Sequence, residues 1–499
     1  MSAQGIRRLT TVIVSATAAR MRALAHALGG ARCLRAATPG IVPFVFLPFL
    51  VPIFRVEINE PLFGDTAVFQ YTGWCIRHGM RLYRDVGMAD GPFIHYLHAM
   101  MQVFAGHSDR GFRIVDLFVQ AIGGGLIGFF LAPMVDLPPA GRVVQRAAWG
   151  GLGAVTWLAW YLTFDWGTTT ERDLYYSLFG GVGVSMLYAS ATFKRPWAAR
   201  VAFAGAFVAV SQVFGKPTGA VYVLVGAACL VLDGPARGDE WSRRLKGAAA
   251  GGVACVFAMV LLLLVSGSIR DYFLWCVTIP YRGNMFLLRI DPIKLLLDRG
   301  WMVFRQMAVV SLVAGPAFVA AGYLPRRALP LAVMPLLFFL GAVAQGRGFF
   351  YQAVPVSGAT TLLVLIVLAG LWSGLPRWTS QRGALAALAL AFTAWHFFDG
   401  AQAGPYQWTG NRDLWEHSPH QFATLEQQVG LYIKAHTRPE DYVFAYSDGE
   451  NAHVVLYYAE RRTASTFFHS PWLDPIGMLA HSENKPSPEQ RTALEALQT

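Results

Sequence analysis

The sequence predicts a polytopic α-helical membrane protein of about eleven transmembrane helices, with interfacial helices in the first external loop and a small C-terminal soluble α/β domain. Three observations carry this. Hydrophobic residues make up 55% of the 499 and charged residues 14%, a balance that soluble domains do not reach. Apolar runs recur near the roughly 20 residues that a helix needs to cross about 30 Å of hydrocarbon. The connectors between the runs alternate in charge.

The candidate spans are residues 40–55, 113–133, 147–164, 174–193, 200–214, 218–233, 247–267, 301–322, 329–344, 352–373 and 384–398. They make up a transmembrane domain over 40–398. The arginine-bearing segment 1–39 shows no cleavable signal pattern and reads as a cytoplasmic tail. Connectors 134–146, 194–200 and 234–246, the pair Arg326 and Arg327, and Arg377 with Arg382 then fall on the cytoplasmic side. All are basic, as the positive-inside rule asks. The net charge of +11 is spread over these pairs instead of forming one patch, which argues against a nucleic-acid partner. Cys33, Cys75, Cys229, Cys255 and Cys276 show neither a disulfide framework nor zinc-like spacing.

The opposite connectors, 56–112, 165–173, 215–217, 268–300, 345–351 and the tail from 399, face outward and hold most of the chemically distinctive side chains. Within the first, residues 66–78 and 93–104 form amphipathic helices suited to the interface, the second opened by Pro92. The tail, 399–499, reads as a periplasmic domain. Its expected elements are a helix over 421–436, a strand over 442–446 and helices over 451–460 and 488–497.

Asp65 follows the first span closely, where a carboxylate beside low-dielectric surroundings suits a general base; the plainer reading is a cap on the helix that begins at Thr66. Glu171 and Asp173 stand at the head of the span from 174, where capping is again the alternative. Lys216 lies in an outward turn, against the positive-inside bias, which favours phosphate binding over a snorkelling lysine. Arg347 offers a planar fork for the same purpose. His95 and His98 share a helix face and are candidate ligands for a divalent metal, with polar-face residues as the plainer reading. Arg113 and Asp116 are expected to pair at the interface. Arg282 and Tyr281 stand in the long external loop.

The order of these motifs resembles the C-type glycosyltransferases, the superfamily of aminoarabinose transferases and protein O-mannosyltransferases. The resemblance runs through Asp65, Leu82-Tyr83-Arg84-Asp85, the Gly91-Pro92 step, Thr170-Glu171-Arg172-Asp173, Gly215-Lys216-Pro217-Thr218-Gly219, Gly346-Arg347-Gly348-Phe349-Phe350-Tyr351, and the tail runs Lys434 to Phe444 and Leu456 to Arg462. It departs at Met88-Ala89-Asp90-Gly91, where many relatives carry Asp-His-Lys-Pro, and at Gln352. The resemblance implies a periplasmic active site in a bacterial inner membrane and transfer of a sugar from a polyprenyl-phosphate donor by inversion. It makes Asp65 the catalytic base, completed by Glu171 and Asp173. Arg84, Lys216 and Arg347 would hold the donor phosphate, and Asp85, Asp90, Tyr351 and Arg282 the substrate. A transporter or flippase, and a polymerase of lipid-linked oligosaccharides, are the competing readings. The absence of a visible repeat weighs against the transporter.

Overall fold

In hydrocarbon no water satisfies the backbone, so apolar runs close their hydrogen bonds inside helices. The computed structural model describes residues 37–62, 64–133, 139–164, 169–194, 196–233, 238–278, 291–298, 301–346, 350–374, 425–445 and 451–464. The N-terminal segment to residue 36, the span 384–398, the pair Arg377 and Arg382, Tyr281, Arg282, Arg347 and the helix over 488–497 lie outside the described residues. The helices are α1 (Val42–Glu57), α2 (Gly64–Arg77), α3 (Pro92–Ala105), α4 (Asp109–Leu131), α5 (Pro139–Tyr161), α6 (Arg172–Ala189), α7 (Trp197–Ser211), α8 (Ala220–Leu232) and α9 (Asp239–Val265). They continue as α10 (Met302–Ala320), α11 (Leu329–Gln345) and α12 (Val354–Gly374), followed by α13 (Leu425–His436), β1 (Tyr442–Val443), α14 (Asn451–Ala459) and β2 (Arg462–Thr463).

Helices fall on every expected span from 40–55 to 352–373. Among the described residues six segments are long and apolar enough on their own to cross a membrane: Asp109–Leu131, Trp197–Phe214, Asp239–Val265, Met302–Ala320, Arg326–Gln345 and Tyr351–Ser373. The core sits on the last of these, whose most apolar window is 94% buried, against 17% for Asp239–Val265 at the periphery. Helix α9 starts well before residue 247, because Asp239 and Glu240 in its first turn favour the helix N-terminus. Small residues allow close backbone approach, as membrane helices require. A side chain at Gly128 would meet the Trp149 carbonyl at 2.1 Å, and one at Gly251 the Phe203 carbonyl at 2.1 Å.

The bundle has two chemically different ends. Helix α6 runs from Asp173, beside Lys216, to Tyr188, whose ring lies 5.0 Å from the Arg327 guanidinium. Helix α8 runs the same way, from the Lys216 turn to Asp233. There the Asp233 carboxylate takes Arg244 at 2.7 Å and Arg327 at 2.6 Å, and nearby connectors meet as Arg146 stacks 3.9 Å from the Phe193 ring. Three of the five basic connectors thus gather at one end, as the alternation anticipates.

The first-loop helices are less exposed than surface-lying helices. Helix α2 is buried from Thr66 to Cys75, because α3 packs on one side and α14 on the other. Helix α3 keeps Met100, Val103 and Phe104 exposed, an apolar stripe fit for a hydrocarbon boundary. The tail contributes α13, α14 and a parallel pair in which Tyr442 faces Arg462 and Val443 faces Thr463. It docks on α2 through Tyr71, whose hydroxyl donates to the Arg461 carbonyl (3.1 Å) and accepts from the Thr463 amide (2.8 Å). Arg461 staples the tail: its guanidinium donates to Thr437 Oγ1 and to the carbonyls of Lys434, Thr437, Ala459 and Glu460.

Glu460 ends α14 with φ at 51°, a left-handed position that costs a residue with a Cβ about 1 kcal/mol. Its carboxylate pairs with Lys434 and lies 3.4 Å from His107. Glu460→Ala and Glu460→Gly lose the same ion pairs, but only the glycine relieves the backbone. Denaturant midpoints should therefore place Glu460→Gly above Glu460→Ala by about 1 kcal/mol.

Candidate functional site

The outward ends of α2 and α6 are joined by a buried polar scaffold. The Thr66 and Thr170 hydroxyls hydrogen-bond at 2.7 Å, which ties the residue after Asp65 to the residue before Glu171. Thr170 has φ at 69°, a strained conformation for a β-branched residue. It is held from both sides, because the Tyr161 hydroxyl accepts its amide at 3.0 Å. Tyr161 in turn donates to Asp116 (2.5 Å), which also accepts from Tyr175 (2.6 Å). One layer away, fully buried Arg113 donates to Glu57 (2.8 Å), to Thr169 Oγ1 (2.7 Å) and to the Pro61 carbonyl (3.1 Å). The expected pairing of Arg113 with Asp116 is corrected here: the hydrogen-bonded partner of Arg113 is Glu57, at the end of α1, while two tyrosines of neighbouring helices hold Asp116.

On this scaffold stands a charged cluster. Asp173, 1% exposed, accepts from Lys216 at 2.7 Å and from Arg172 at 3.4 Å. Arg172 also donates to Asp90, which makes it the bridge between the first loop and α6. Lys216 is aimed by a turn in which Pro217 opens a 3-10 segment, Pro217–Gly219, directly after the extended lysine; its ammonium also lies 5.8 Å from the Tyr351 ring centroid. Gly91 locks the first loop onto this turn, since a Cβ there would meet the Phe214 carbonyl at 1.7 Å. Asp65, half-buried in the first turn of α2, lies within electrostatic reach of the Arg172 guanidinium and the Tyr351 phenol. Glu171 reaches the same phenol. Glu171 occupies the N-cap position of α6 but makes no side-chain capping hydrogen bond, so it is not spent on the helix end.

The structure thus brings Asp65, Asp90, Glu171, Asp173, Lys216 and Tyr351 together, with Arg172, to which no role was assigned from sequence. Its signal was legible: a cation between two acids on the side where topology disfavours basic residues. Arg84 is exposed in the turn before Val86, and Asp85 accepts from the Arg81 amide at 2.7 Å and faces a separate cleft with His78 and Arg462.

His95 and His98 do not sit on a polar face. Both are buried between α2 and α3, because Gly73 lets the Ala99 amide approach a would-be Cβ to 2.9 Å. His95 Nδ1 bonds Thr72 at 2.8 Å and His98 Nδ1 bonds Gln70 at 3.0 Å. Burial lowers the pKa of both, that of His95 to about 3, and keeps the rings neutral. Among the described residues no three His, Cys, Asp or Glu side chains are placed to hold a metal ion together, and the two histidines find no third ligand.

No protein-family model matches the chain, and no curated protein does. Among solved structures, the chain is similar to the archaeal oligosaccharyltransferase AglB from Archaeoglobus fulgidus in complex with an inhibitory peptide and a dolichol-phosphate. That match has 12% identity and a TM-score of 0.45, over 91% of this chain and 68% of that one. The apo form of the A. fulgidus oligosaccharyltransferase matches at 12% identity and a TM-score of 0.42, over 83% of this chain and 64% of that one.

Proposed function

We propose that the chain transfers a glycosyl group from a polyprenyl phosphate to an acceptor hydroxyl, with Asp65 as the base. The observation that supports this reading is the Thr66–Thr170 bond, which ties the residue after Asp65 to the residue before Glu171. In the reaction the acceptor hydroxyl gives its proton to Asp65 and its oxygen attacks the anomeric carbon. The bond to the phosphate oxygen breaks on the opposite face, the polyprenyl phosphate leaves with the electron pair, and the carbon inverts. Arg172 and Lys216 face the departing charge, and Arg347 is assigned the same role on the chemistry of its guanidinium fork alone. Asp90 and Asp173 hold the two described cations extended and would share them with the phosphate. Glu171 and Tyr351 line the sugar side. The prenyl tail lies along the apolar helices. With the basic end of the bundle at the cytoplasm, the site and the tail face the periplasm of a bacterial inner membrane.

Asp65→Asn should lower turnover by about 10²–10⁴-fold and leave donor binding and expression intact. The measurement uses purified protein in nanodiscs with a panel of undecaprenyl-phosphate hexoses and pentoses. An asparagine variant that turns over at the wild-type rate rules Asp65 out as the base.

A further inference from the structure

We infer that the seam between the first loop and the tail is a second binding site, one for an anionic glycan. Two clefts lie side by side there, of about 380 and 410 Å³, and both are lined by His78 and Arg462. The first adds Asp85, Tyr442 and Thr463; the second adds Trp74, Lys434 and Glu460. These volumes fall within the range of small-molecule sites, which favour the junctions between structural units. All lining residues belong to α2, the loop after it and the tail, and none to α4 through α12. The occupant is therefore water-soluble, not the lipid donor.

The charges select an anion. Lys434 is paired with Glu460, Asp85 accepts from the Arg81 amide, and every Arg461 donor goes to Thr437 or to a backbone carbonyl. Arg462 is different: it is exposed, has no carboxylate partner among the described residues, and reaches only the His78 carbonyl at 3.4 Å. A guanidinium fork left free in both clefts is matched to a carboxylate or a phosphate. The flat surfaces select a sugar. Exposed His78 is backed by the buried Trp74 ring at 4.1 Å and Tyr442 is 61% exposed at the rim, which leaves the His78 and Tyr442 rings to meet the C–H side of a pyranose and their polar edges to meet its hydroxyls.

The site deepens the reading above by naming the acceptor class, and in that respect it rests on that reading. Asp85 in the cleft and Asp90 in the charged cluster are joined by one short loop, so their Cα atoms stand at most about 18 Å apart. A glycan a few units long would lie in the seam and extend its terminal hydroxyl towards Asp65.

The test is binding without turnover: isothermal titration of the full chain in nanodiscs with hexagalacturonate, phosphopentamannose and neutral cellohexaose. At least one anionic glycan should bind, with cellohexaose tenfold weaker or worse, and the other anion tells carboxylate from phosphate. Arg462→Ala should weaken binding about tenfold, Arg462→Lys less, and Tyr442→Ala severalfold, and added salt should weaken it further. Asp65→Asn and Lys216→Ala should leave binding unchanged, so loss of transfer and loss of binding are read separately. Binding of neither anion, or binding that survives Arg462→Ala or disappears with Lys216→Ala, overturns the inference.

Discussion

Arg113→Met should destabilise the protein by about 3–5 kcal/mol and reduce transfer even in the fraction that stays folded. Arg113 and Glu57 are 0% and 2% exposed, so removing the guanidinium leaves a carboxylate buried without its cation. The same change strips a donor from Thr169 Oγ1 and from the Pro61 carbonyl. The first loss acts on stability. The second acts on geometry, because Thr169 precedes the strained Thr170 that fixes Asp65 through Thr66. The two effects separate in the double variant Glu57→Leu/Arg113→Met, which removes both charges. It should recover most of the melting temperature, since an apolar pair often replaces a buried ion pair at little cost, yet remain slow because the Thr169 anchor is still missing. A single variant within about 1 kcal/mol of wild type would mean that Arg113 is dispensable. A double variant with full turnover would mean that the scaffold does not position Asp65.

How far this arrangement could be read in advance depended on the range of each signal. Helices α1 and α4 to α12 were legible because hydrophobic run length is local, α2 and α3 because amphipathic periodicity is local too, and the basic connectors because topology writes charge into short segments. Lys216 and Asp173 could be named from their positions, but their 2.7 Å contact joins residues on different helices that no periodicity relates. Glu57 was overlooked for the same reason. A lone glutamate at the end of an apolar helix resembles any interface residue, and its partner Arg113 lies a loop and two helices later. The spacing of Arg113 and Asp116 suggested a local pair, whereas neighbouring helices supplied a carboxylate to one and tyrosine hydroxyls to the other. His95 and His98 could be placed on one face of α3, but α3 alone does not say that α2 covers that face.

Acidification from pH 6.5 towards 4.5 should destabilise the first loop and its tail cap, and the groups beneath them give the sign. His95 titrates near 3 when folded, from an ordinary value of 6.5, because burial penalises the imidazolium. His98 is lowered by burial and by the neighbouring His95, and His107 by burial against the opposing pull of Glu460. A group whose folded pKa is depressed leaves the unfolded chain holding the extra proton below 6.5, so each histidine removes stability as the pH falls, by at most about 1.4 kcal/mol per pH unit. Glu60 opposes them. Burial raises it from 4.5 to about 7, with Arg113 pulling it down and Glu57 pushing it up. Its folded form therefore keeps the extra proton between those values and gains stability on acidification. The three histidines together outweigh Glu60, and the net is a loss. Thermal midpoints in detergent at pH 7, 6 and 5 should fall in that order, and Glu60→Gln should steepen the fall by removing a compensating group. A midpoint that holds constant or rises across this window would show that the imidazoles under α2 accept protons without penalty, and that the packing of α2 on α3 is looser than their hydrogen bonds to Thr72 and Gln70 require.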